Sequence, residues 1–239
     1  MAVALKLDNL HELHPSLWRA DSLAWADGVV LDSGYAALNQ QLPGQGWPLG
    51  QLIELLLAQA GTAELSLLAP ALRQIEDGAL LLINPPFLPD ALAYAEWQIP
   101  VQRWLWVRRH DSATVFWACE QALKLGACGA VLCWLAGLRP AALRRLHLAA
   151  QASRTLFCLI RPAHEVRQAS PAPLRLQLHT QAGGLRLEII KRRGLPHAGP
   201  LHLSLPRHPY YLPAGWPTPL ADKPVTTATA AYVDRALLT

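Results

Sequence analysis

The segment Ala58-Gln59-Ala60-Gly61-Thr62-Ala63-Glu64 follows an apolar run, Leu52 to Leu57, and precedes a stretch with helical periodicity. Strand, loop and helix in that order is the layout of a phosphate-binding loop. Such a loop cradles phosphates with backbone N–H groups, reaches the terminal phosphates with a Lys, and holds magnesium with a following Ser or Thr. Here Thr62 follows Gly61 where the Lys should stand, and no Lys occurs between Lys6 and Lys124. Glu64 would set a negative charge where the anion belongs. Gly61, Thr62, Ala63 and Glu64 therefore read as a degenerate phosphate loop with no cofactor to hold.

Two further positions would carry chemistry in a nucleotide hydrolase, and both lack it. A general-base carboxylate is expected at the end of the second core strand, where the chain reads Leu82-Ile83-Asn84-Pro85-Pro86. A magnesium-holding acid is expected in the strand Val131-Leu132-Cys133-Trp134-Leu135, which has none. Losing the Lys, the base and the metal-holding acid together argues against phosphoryl transfer. No G-x-S-x-G or H-E-x-x-H occurs, and the nine His are scattered. Cys119, Cys128, Cys133 and Cys158 lie in apolar segments without a C-x-x-C pair, and read as buried thiols. The chain is not expected to be an enzyme, nor to hold a metal.

The elements that must position these residues alternate. Short apolar runs at Leu52–Leu57, Ala79–Ile83, Trp104–Val107, Ala130–Leu135 and Thr155–Ile160 read as strands buried on both faces. Between them, Glu64–Glu76, Asp111–Leu125 and Pro140–Ala152 have helical periodicity. Asp111 or Ser112 would cap the second of these, Gly126 would stop it, and Pro140 would open the third. Alternation of this kind implies an α/β fold, a mostly parallel sheet flanked by helices. After Pro162 the period falls to two, around Gly183-Gly184, which predicts a C-terminal β-hairpin, with Leu201, Leu203 and Leu205 as a further strand. The expected organisation is an N-terminal arm over 1–41, a core over 42–205, and a Pro-rich, irregular, mobile tail over 206–239. Trp47 and Trp134 are expected near the vacated nucleotide site, filling it.

With 239 residues, 52% hydrophobic and 16% charged, the chain can bury one good-sized core. No apolar run reaches the roughly 20 residues of a membrane helix, and Met1 to Asp8 lacks a signal peptide's apolar stretch, so a cytoplasmic protein without membrane contact is expected. The net charge is +4, and only four of its 21 basic side chains are Lys (Lys6, Lys124, Lys191, Lys223). An Arg-dominated surface suits phosphate, carboxylate and aromatic partners.

Several runs together resemble a known family. They are LPGQGWPLGQLIELL (Leu42 to Leu56), AGTAELSLLAPAL (Ala60 to Leu72), INPPFLP (Ile83 to Pro89), FWACEQALKLGACGAVLCWL (Phe116 to Leu135), LRRLHLAAQA (Leu143 to Ala152), FCLIRP, PAPLRLQL and LEIIKRRG. These resemble ImuA, the RecA-like family associated with translesion DNA synthesis, which is also similar to the SulA cell-division inhibitors. The resemblance implies a RecA-like core without ATP hydrolysis, acting as an adaptor in the DNA-damage (SOS) mutasome. Its implied partners are ImuB, a Y-family polymerase relative, an error-prone replicative-type polymerase, RecA and single-stranded DNA. The alternative is a SulA-type inhibitor that binds the division protein FtsZ. The hairpin ending LEIIKRRG favours ImuA, because SulA-like proteins are shorter.

Three surfaces could carry such contacts. Lys191, Arg192 and Arg193 end an amphipathic strand; Arg139, Arg144 and Arg145 line a helix; Tyr210, Tyr211 and Trp216 are interleaved with prolines in the tail.

Overall fold

The computed structural model describes residues 28–61, 63–87, 97–109, 111–181, 183–193 and 199–205. Thr62 and the tail residues Tyr210, Tyr211 and Trp216 lie outside them, as do most of the expected N-terminal arm and the whole expected tail.

The strands are β1 (Val30–Leu31), β2 (Trp47–Pro48), β3 (Gln51–Leu57), β4 (Ala79–Ile83), β5 (Trp104–Val107), β6 (Cys128–Trp134), β7 (Leu156–Pro162), β8 (Leu174–Gln181), β9 (Gly184–Lys191) and β10 (Leu201–Leu203). The helices are α1 (Ala36–Asn39), α2 (Glu64–Gln74), α3 (Ser112–Leu125) and α4 (Pro140–Ala150). An eight-stranded sheet runs β10-β9-β8-β3-β7-β6-β4-β5. Its pairs from β8 to β5 are all parallel, whereas β8–β9 and β9–β10 are antiparallel. The expected mostly parallel sheet and hairpin are both present, and the hairpin is a continuation of that sheet.

Alternating side chains along each central strand feed two cores, as a parallel sheet covered on both faces requires. Ile53, Leu55 and Leu57 join Leu67, Leu68, Ala71 and Leu72 of α2 on one face. Val131, Cys133, Phe157 and Leu159 join Val115, Cys119 and Leu123 of α3 and Leu143, Leu146 and Ala150 of α4 on the other. α3 has the expected ends: the Asp111 carboxylate accepts from Thr114 N–H at 2.7 Å, and Gly126 takes the left-handed φ of 63° that closes a helix.

α2 ends sooner than expected and contains Pro70, which cannot donate to the carbonyl of Ser66. The Tyr35 hydroxyl donates to that carbonyl instead, at 3.3 Å, and Gly34 packs so closely on Pro70 that a Cβ would lie 2.3 Å from its ring. Residues expected only as an arm thus supply the missing donor of the first crossover helix.

β5 departs from expectation. It forms the outer edge of the sheet rather than a strand buried on both faces, and Leu105 and Trp106 are 52% and 46% exposed. Trp104 and Trp106 do share a face, opposite Leu80 and Leu82 of β4, and Trp104 is buried.

Candidate functional site: a strand-to-helix loop closed by its own carboxylate

The parallel strands β3, β4, β6 and β7 end together, and the loop 58–63 lies at that carboxyl end, where open α/β sheets bind ligands. The N-terminus of α2 points its free N–H groups into this region, an environment that favours an anion. The anion is Glu64. Its side chain is fully buried and folds back across the loop. One carboxylate oxygen accepts from Gly61 N–H and from the Trp134 indole N–H at 2.9 Å, and the other accepts from Ala63 N–H at 3.1 Å. The carboxylate therefore occupies donors at the helix N-terminus that would otherwise be open to an anion. Local sequence explains the geometry: Ala63, at the helix N-cap, offers no side-chain cap, so the first helical residue supplies the acceptor.

The surroundings complete the closure. Gly61 has φ +83°, and a Cβ there would meet the Phe87 ring at 2.1 Å, so Phe87 lies directly on the loop backbone. Asn84 stands at the end of β4, where a hydrolase would carry its base, with φ 57° and its backbone N–H given to Val107 carbonyl at 2.6 Å. An amide there cannot take a proton from water as a carboxylate does. Of the two tryptophans expected at this place, Trp134 is present. Trp47 is not: it lies in β2, which pairs with β1 and leads into the opposite, amino end of β3.

The basic residues are used unevenly. Arg145 binds Glu120 at 2.6 Å and lies 4.9 Å over the Phe116 ring, with its side chain still exposed. Arg192 donates to Gln41 carbonyl and ties β9 to the N-terminal segment. Lys191 donates to Ser170 carbonyl at 2.9 Å, and Arg139, Arg144 and Arg193 are exposed. Burial lowers the pKa of His147 on α4, and the Arg193 and Lys191 charges lower it further.

A buried ionic network escaped the sequence reading. Glu54, inside the run taken as apolar, accepts from Arg161 at 2.9 Å, from Ser170 at 2.9 Å and from Arg175. Arg161 also pairs with Glu165 and bonds Gln168, while Glu165 accepts from Gly137 N–H at 2.7 Å and Gln168 donates to Leu138 carbonyl at 2.7 Å. These contacts lock the loop before α4 onto the turn after β7. The signal was available: a lone acid in a strand buried on both faces requires a basic partner on a neighbouring strand.

Among the described residues no group of His, Cys, Asp and Glu is placed to hold a metal ion, and no helix is long and apolar enough to cross a membrane.

No family model matches the chain. It is 35% identical over 109 residues to the cell division inhibitor SulA of Edwardsiella piscicida, a match that covers 45% of this chain and 64% of that protein's length. A solved structure of SulA from Pseudomonas aeruginosa aligns with 46% of this chain and 97% of its own, at 29% identity and a TM-score of 0.39. The expected role as a mutasome adaptor is thereby corrected, since the similarity found is to a division inhibitor. The hairpin that favoured ImuA continues the central sheet. Over nearly half its length, this chain is similar to SulA.

Proposed function

We propose that this protein is a non-catalytic inhibitor of cell division of the SulA type, acting by binding FtsZ, on a scaffold related to RecA-type ATPases. The 35% identity to a cell division inhibitor carries this reading. The strand order of the parallel region and the position of the loop support the RecA relationship. The buried Glu64 carboxylate supports a protein that works through its surface: nucleotide would have to displace an acceptor already bonded to the loop's own donors.

The deciding assay mixes the purified full chain with FtsZ and GTP and follows polymer formation by light scattering and GTP turnover. Inhibition that saturates near one inhibitor per FtsZ supports the reading. No effect on FtsZ, with co-purification of an ImuB-like polymerase relative instead, sinks it.

A further inference from the structure

We infer that the outer edge of β5 is the docking strand for the partner, which adds an extended segment, apolar at alternate positions and acidic where it passes Arg108 and Arg109, to the central sheet. This deepens the proposed function and rests on it.

The geometry starts from one hydrogen bond. Asn84 N–H of the β4 end donates to Val107 carbonyl, so Val107, and by the alternation of a strand Leu105, turn their backbone groups toward β4. Trp106 and Arg108 then turn theirs outward. Trp104 has the same outward parity, but its N–H is taken by Val101 carbonyl in the turn that leads into β5. The open donor and acceptor of this edge therefore centre on Trp106. Among the described residues no strand pairs there.

Exposed edges are ordinarily blunted by charge, proline or a bulge. Trp104–Val107 is short, four residues, but it reads WLWV and has none of these. Leu105 and Trp106 project to opposite faces of the sheet, so apolar surface flanks the open backbone above and below. That is the arrangement β-augmentation uses: main-chain bonds supply attachment, and alternate side chains supply selectivity.

Charge decides the occupant. The stretch 101–109 contains Arg103, Arg108 and Arg109 and no acid. The Arg103 guanidinium donates to the carbonyls of Ile75, Asp77 and Gly78. A second copy pairing antiparallel with itself would bring Arg108 and Arg109 of one chain beside Arg103 of the other at both ends of the pairing. Like charges directly opposite are destabilising. A partner segment with carboxylates where it passes Arg108 and Arg109 is favoured by the same charges.

The test uses the full chain, with FtsZ as the probe. Trp106→Ala removes the side chain, and Trp106→Pro also removes the outward donor while leaving the β4 ladder intact, because an edge tolerates proline where its N–H faces solvent. The expected result is an inhibitory midpoint about tenfold higher for the Ala variant and about a further tenfold for the Pro variant, with unchanged circular dichroism. Hydrogen exchange on the wild type reads the backbone directly: the Trp106 and Arg108 amides slow when FtsZ is added, while the Val107 amide does not change. If the wild type inhibits FtsZ but the two variants match it and the Trp106 amide is not protected, the docking strand is wrong and the function stands. Concentration-dependent protection of Trp106 without FtsZ would assign the edge to a second copy and overturn the inference. A wild type inert toward FtsZ removes both.

Discussion

Replacing Glu64 by Ala deletes a fully buried acceptor that the Gly61 and Ala63 N–H groups and the Trp134 indole N–H share. A hydrogen bond to a charged group contributes about 1.5–3 kcal/mol, and a buried donor left unpaired costs about 1–3 kcal/mol. These costs do not add, because the donors share one acceptor and water can reach the emptied space. A net loss of about 3–4 kcal/mol is expected, measured by urea unfolding and followed through tryptophan fluorescence. Glu64→Gln keeps one oxygen acceptor and loses the charge, and should cost about half as much. The vacated donors sit at a helix N-terminus, so sulfate should refill the site. At ten times its dissociation constant a refilling anion restores about 1.4 kcal/mol. Sulfate also strengthens folding generally, so the diagnostic quantity is its excess effect on Glu64→Ala over the wild type in matched ionic strength. A loss below about 1 kcal/mol, or equal sulfate effects on both proteins, would refute the claim that Glu64 substitutes for a bound anion.

Glu54→Leu should destabilise by about 3–5 kcal/mol, because it strands the buried Arg161 and Arg175, whereas Glu54→Leu with both Arg changed to Met should recover most of that loss; urea melts separate the two outcomes. Asp111 is held below its ordinary 3.8 chiefly by the Thr114 backbone N–H, so its contribution is full above that pH and fades as pH falls through the folded-state value. The stability gap between wild type and Asp111→Ala should accordingly close on acidification below pH 3.8, and a gap that stays constant would exclude the cap. Burial raises the Cys158 thiol far above its ordinary range, Cys119 likewise, and the half-buried Cys128 to a lesser degree. Native protein treated with iodoacetamide at neutral pH should label slowly at Cys128 alone among the four, with the others reacting only in denaturant, as read by peptide mass spectrometry.

The central architecture was legible because its signals are local. Apolar runs of strand length separated by helical periods dictate a parallel sheet, and Asp111, Gly126 and Pro140 mark helix ends through chemistry confined to one turn. What sequence reading missed depends on contacts between distant segments. Pro70 could be seen, but not that Tyr35 would supply the donor it lacks. β5 has the same composition as its buried neighbours, and only its place at the end of the strand order exposes Leu105 and Trp106. Glu54 was absorbed into an apolar run because its partners Arg161 and Arg175 lie more than a hundred residues away. At the loop before α2 the reading was half complete. The wrong sign of charge at Glu64 was evident from its position, whereas its bond to Trp134 required the fold.

The Glu64 contacts also constrain how such a protein could be controlled. In a working nucleotide switch, the terminal phosphate and its magnesium hold one arrangement of the surrounding loops, and loss of that phosphate releases it. A ligand shifts an equilibrium only through different affinities for its two states. Here the loop donors bind a carboxylate that is part of the first turn of α2, so these donors are held without a phosphate. On the proposed reading, nucleotide gains a contact at these atoms only by displacing Glu64. On the proposed reading, inhibition then follows the amount of protein and the affinity of its docking edge, and adding ATP to the FtsZ assay should leave the inhibitory midpoint where it was. A midpoint that moves with ATP in the wild type would mean that Glu64 yields its donors to phosphate, and the closed-loop account would fail with it.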